Sequence, residues 1–172
     1  MAVVTNAAAG LAAAAAGATV VQLRDPAATA RRMELETSRL VEASSHPVLV
    51  SSRVDLALAT GAAGVHLPED DLPVAAARTL LGEQRLLGRS VHSVEAARRD
   101  AQEGADYLVF GPVFPTTSHP GRPALGLAAL AEVAAAVPVP VLAIGGIDAE
   151  TARACREAGA AGFAAIGYFR DR

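Results

Sequence analysis

The chain contains no lysine: its 15 basic residues are all arginine. No Schiff base can form on it, and each fixed side-chain cation is a planar guanidinium rather than a point charge. Tryptophan is absent and aromatic residues make up 3% of the sequence. The core must therefore be assembled from small aliphatic side chains in close contact. A single cysteine, Cys155, excludes an internal disulfide framework and a cysteine-rich zinc site. Its apolar helical setting suits a small buried filler. No apolar run reaches membrane-spanning length once Arg, Asp and Gly interruptions are counted. The Ala-rich start, MAVVTNAAAGLAAAAAGA, lacks the basic region of a signal peptide and reads as a strand, a turn and a short helix. A formal charge of −3 offers no basic field for nucleic acid. The expectation is a cytoplasmic protein with a small-molecule partner, and neither membrane nor nucleic acid.

What is present is alternation. At 172 residues the chain fits one domain, 1–172, long enough to bury a core. Apolar, β-branched runs predict strands over 2–5, 19–23, 48–51, 64–67, 85–90, 107–111, 139–144 and 162–167. Between them, TARRMELETSRLVEAS, SVEAARRDAQEGA, GLAALAEVAAAV and DAETARACREAGA repeat apolar positions at helical spacing. Asp148 and Thr151 match an N-cap and its third helical residue, and Gly104 and Gly159 read as helix stops.

Eight strands alternating with helices imply a parallel sheet, and eight is the closing number of a (β/α)8 TIM barrel. The size is compact for that fold, and the closing C-terminal helix is expected to be missing or vestigial, which would leave apolar wall for a homo-oligomer contact. An open doubly wound sheet is the alternative. In a barrel the active site lies at the C-terminal strand ends, where the polar residues of this chain collect.

Several of those residues carry candidate chemistry. Gln22 and Arg24 share parity on the second strand; Arg24 can hold a carboxylate or phosphate with two hydrogen bonds, or tie strand ends together. Ser90 and His92 share parity on the fifth strand, and His92 can move protons near neutral pH or serve structurally. His66 carries the same two readings. The loop PTTSHPG places Thr116, Ser118 and His119 together after the sixth strand. Gly145 and Gly146 end the seventh strand where a helix begins, a setting in which bared amides suit a phosphate. Asp70 and Asp71 fit either Mg²⁺ ligation or a helix N-terminus.

The segments VVQLRD, VDLALATGAAGVHLPEDDL, GRSVHSVEAA, GADYLVFGPVFPTTSHPG, VPVLAIGGI and AGAAGFAAI resemble, in order and over nearly the whole chain, the thiamine phosphate synthase/TenI superfamily. The resemblance implies that Gln22, Arg24, Ser90, Thr116 and Ser118 line the substrate pocket. It further implies a thiazole phosphate on Gly145, Gly146 and the backbone near Gly167.

The two branches of that superfamily differ in chemistry. Thiamine phosphate synthases condense a thiazole phosphate with hydroxymethylpyrimidine pyrophosphate and use Mg²⁺, held partly by an Asn-Asp-Arg triplet that is Ser51-Ser52-Arg53 here. Of the usual metal pair only Asp71 is kept, and the two expected lysines are Pro26 and His119. TenI-like thiazole tautomerases move a proton and need no metal. The departures favour a metal-independent tautomerase, an isomerase with His119 or His92 as acid/base, because a tautomerase's histidine is Pro112 here. The synthase, with Asp71 as metal ligand, is the alternative, and a non-catalytic phosphate-ligand binder is a third.

Overall fold

In a computed structural model of the chain, residues 1–116, 121 and 123–169 are described. Eight strands run parallel: β1 (Ala2–Val4), β2 (Val21–Leu23), β3 (Val48–Ser51), β4 (Gly64–Leu67), β5 (Leu86–Val91), β6 (Tyr107–Phe110), β7 (Val141–Ile144) and β8 (Gly162–Ala164). Between them, in order, lie α1 (Ala7–Ala15), α2 (Ala30–Ala43), α3 (Val54–Thr60), α4 (Val74–Leu81), α5 (Val94–Gln102), α6 (Gly126–Ala136) and α7 (Ala149–Glu157). Each strand pairs with its neighbours in sequence, and an Ala2–Ala165 bridge returns the last strand to the first. The sheet is a (β/α)8 barrel.

Strand parity sorts the core into two layers. Val21, Leu23, Val48, Val50, Val65 and Leu67 point outward and are buried beneath the helices. Val3, Leu49, Tyr107, Val109 and Ala164 fill the barrel itself. Space inside is allotted by glycine: a Cβ on Gly88 would stand 2.0 Å from the Tyr107 ring. One large ring thus occupies the room that two ordinary side chains would contest.

Helix starts follow their caps. Asn6 accepts from the Ala9 amide, Ser93 from Ala96, and Asp148 forms a capping box with Thr151. Strand ends moved by a few residues from expectation. β7 starts at Val141 because Pro140 has no N–H to give and contributes only its carbonyl, to Leu108 at 2.9 Å. β8 stops at Ala164, and the described residues from Gly167 to Phe169 are bends and turns rather than strand. No helix among the described residues is long and apolar enough to cross a membrane.

Candidate active site

The C-terminal strand ends surround a cavity of about 850 Å³. Its lining draws on all eight strands or their C-terminal ends, and it includes Gln22, Arg24, Ser90, His92, Thr116, Gly145, Gly146 and Gly167. Strand parity explains the gathering of Gln22, Arg24, Ser90 and His92, while Thr116, Gly145, Gly146 and Gly167 reach the cavity from the segments after β6, β7 and β8. Ser118 and His119 lie outside the described residues.

Gln22 projects from β2 into the barrel and is 3% exposed. Two residues on, Arg24 stands exposed at the rim, its backbone amide fixed to the Val4 carbonyl at 2.8 Å. Its guanidinium makes no ion pair with another described residue, and Arg24 lines the cavity. Arg53 behaves differently: it forks onto Asp55 at 2.8 and 2.6 Å.

The cavity floor holds a linked set of polar groups. His66 Nε2 lies 2.9 Å from the Ser90 hydroxyl and Nδ1 lies 3.1 Å from the Tyr107 hydroxyl. Burial, helped by the charges of Arg89 and Arg24, lowers the His66 pKa to about 3. Burial and the Asp106 charge hold the Tyr107 phenol well above its usual range. A neutral imidazole donates from one nitrogen and accepts at the other, so the hydroxyl orientations of Ser90 and Tyr107 are coupled through it.

His92 uses Nδ1 to donate to the Gly111 carbonyl, and its Nε2 stands 3.5 Å from Glu69 Oε2. Glu69 begins the acidic turn after β4. Asp70 lines the cavity, while Asp71 is half-buried beside it, accepting the Leu72 amide at 2.7 Å.

Gly145 and Gly146 have φ of +97° and +63°, and a Cβ on either would come within 2.7 Å of Pro112 or Phe114. Both glycines are required by backbone sign and by close packing against the loop after β6. The helix N-terminus is arranged otherwise than the sequence suggests. Asp148 takes the Glu150 and Thr151 amides for itself, a cap that also lowers its own pKa. The amides of Gly145, Gly146 and Ile147 donate to no described residue, and these residues line the cavity. The anion-seeking donors are therefore those of the glycine turn, one step before the helix.

No cluster of three metal-binding side chains occurs among the described residues. Mg²⁺ commonly takes one or two carboxylates and completes its octahedron with phosphate oxygens and water. Asp70 lines the cavity and Asp71 follows it in the same turn, so the turn could offer one or two carboxylates to Mg²⁺ but no all-protein cage.

Tyr107, Glu69 and Arg89 are not among the residues that the sequence singles out. The available signal was parity: His66 and Tyr107 alternate with apolar outward residues on their strands, which places both inside.

The thiamine monophosphate synthase family model matches residues 4–169. A thiamine-phosphate synthase of Chloroflexus aurantiacus is 44% identical over 154 residues, covering 87% of this chain and 71% of that protein. One from Anaeromyxobacter dehalogenans is 50% identical over 140 residues, covering 81% and 60%. A solved thiamine phosphate pyrophosphorylase from Pyrococcus furiosus matches with a TM-score of 0.85 and 34% identity, over 96% of this chain and 84% of that one.

These findings overturn the expected branch: the relatives are named synthases, not tautomerases. The isomerase assignment falls with it, and so does the expectation of a reaction without a metal cofactor. The error was physical. The absence of lysine does not by itself remove phosphate-binding capacity, because guanidinium groups and backbone amides can also donate to phosphate oxygens.

Proposed function

The chain belongs to the thiamine monophosphate synthase family, and we propose that it is a thiamine-phosphate synthase. In that reaction the thiazole nitrogen bonds to the pyrimidine methylene carbon as the bond from that carbon to pyrophosphate breaks. The observation that carries the reading is the 44% identity to a protein so named, sustained over 154 residues. The polar cavity at the strand ends supports it.

We assign roles from placement, and those of Ser118 and His119 from the family resemblance alone. The amides of Gly145 and Gly146, with the backbone at Gly167, receive the thiazole phosphate. Gln22 and Ser90 orient the rings by hydrogen bonds, the Ser90 hydroxyl being held by His66, which Tyr107 supports in turn. Arg24 faces the pyrophosphate, with Thr116 and Ser118 as hydroxyl donors and His119 where the resemblance expects a lysine. His92 fixes the rim by bridging Gly111 and Glu69. Asp71, with Asp70 beside it, would hold Mg²⁺, which when bound offsets the charge of the departing pyrophosphate. Apolar Val109, Ile144 and Ala164 line the same cavity and exclude water from the reacting carbon.

Genetic complementation tests the reading. A bacterial strain lacking its own thiamine-phosphate synthase should grow without thiamine when this chain is expressed. Failure to grow, with folded protein present in the cells, would count against it.

A further inference from the structure

We propose that Arg89 is a positioning residue that holds the acidic turn after β4 in its ligand-facing shape; the proposal rests on the synthase reading above. Arg89 sits on β5 with parity opposite to Ser90, on the outer side of the barrel, and is 5% exposed. Nη1 donates to the Leu72 carbonyl at 2.9 Å and Nη2 to the Glu69 carbonyl at 2.6 Å. These two carbonyls bracket Asp70 and Asp71.

The third side of the guanidinium meets Asp100 of α5, with Nε and Oδ2 3.4 Å apart. Neither of those atoms forms a hydrogen bond. The other Asp100 oxygen accepts from Arg99 Nε at 2.9 Å. An arginine serving only as an ion-pair partner lays two N–H groups on the carboxylate. Here the best donors go to the turn, and Asp100 supplies compensating charge.

Stability alone does not call for this arrangement, because an apolar pair of similar volume often holds a core equally well. An apolar pair cannot grip two carbonyls. Within itself the turn has only the Asp71 amide on the Pro68 carbonyl at 3.2 Å and the Asp71 carboxylate on the Leu72 amide at 2.7 Å. The grip also reaches His92, since Glu69 of the same turn faces its Nε2 at 3.5 Å.

Two variants of the full chain test the role. Arg89→Met/Asp100→Leu removes both charges, and Arg89→Lys keeps the charge against Asp100 but loses the two-pronged hold. Hydrogen exchange of the 68–73 segment and calorimetric binding of pyrophosphate with Mg²⁺ are measured, with thiazole phosphate binding as control. Exchange in the segment should accelerate about tenfold in both variants as local opening becomes easier. Pyrophosphate affinity should fall about 10- to 100-fold, the usual cost of losing a group that orients metal ligands. Thiazole phosphate affinity should stay within about twofold, as expected for a distant and independent site. Should the double variant not fold, Arg89→Lys alone decides. Wild-type pyrophosphate affinity in Arg89→Lys, or equal loss of both ligands, would overturn the proposal. A wild-type protein that binds no pyrophosphate defeats the synthase reading instead; unchanged exchange in the segment would then overturn the role of Arg89 by itself.

Discussion

The Nε2 atom of His66 lies 2.9 Å from the Ser90 hydroxyl, so a cavity-facing hydroxyl rests on an imidazole sealed inside the barrel. The same ring meets Tyr107, which stacks on it at 5.6 Å between centroids. A polar column therefore runs from the barrel interior to the cavity floor. Its histidine is neutral at working pH, and the orientations of the Tyr107 and Ser90 hydroxyls are coupled through its two nitrogens.

That column makes stability pH-dependent in a predictable direction. The unfolded chain protonates an imidazole near its ordinary value of 6.5, whereas folded His66 does so at about 3. Between those values the unfolded state binds the extra proton, so falling pH favours unfolding, by up to about 1.4 kcal/mol per pH unit. In His66→Asn this contribution is gone. Urea unfolding at pH 7 and pH 5 should show the wild type losing more stability than the variant on acidification; equal losses would refute the buried, neutral assignment.

Arg24 separates binding from folding. Its guanidinium is exposed and makes no ion pair with another described residue, so Arg24→Gln should change stability by no more than about 0.5 kcal/mol. Loss of a charge-assisted hydrogen bond costs about 1.5–3 kcal/mol, which predicts pyrophosphate binding weaker by roughly 10- to 100-fold. Calorimetry and a thermal melt on the same preparation check both halves.

Gly146 should tolerate no side chain. Its φ is +63° and an added Cβ would stand 2.7 Å from both Phe114 Cβ and the Pro115 carbonyl. Gly146→Ala combines backbone strain of about 1–3 kcal/mol with that overlap. For a chain of this size each kcal/mol moves the melting temperature by about 2–4 °C, so a drop of roughly 4 °C or more is expected. The thiazole phosphate should bind more weakly as well, because the turn must shift its amides.

The barrel was legible because its cues are local. β3 and β4 appear at the predicted residues, and the expected Asp148 cap stands where α7 opens. The rim was legible through parity, which brought Gln22, Arg24, Ser90 and His92 to one cavity. What escaped were relationships between distant residues. Nothing near His66 announces Tyr107, 41 positions away, or that Gly88 clears room for its ring. Arg89 left a faint trace, a charge at an outward position of an apolar strand, where only a buried partner makes sense. The choice of branch failed because a count of lysines and carboxylates does not measure how the remaining donors converge.

The most direct measurement is product formation by the purified protein given thiazole phosphate and hydroxymethylpyrimidine pyrophosphate. With Mg²⁺ present, thiamine phosphate and pyrophosphate should appear in equal amounts, with loss of both on adding EDTA and a large reduction in Asp71→Ala. Binding of both substrates with no thiamine phosphate above the enzyme-free blank would contradict the synthase assignment.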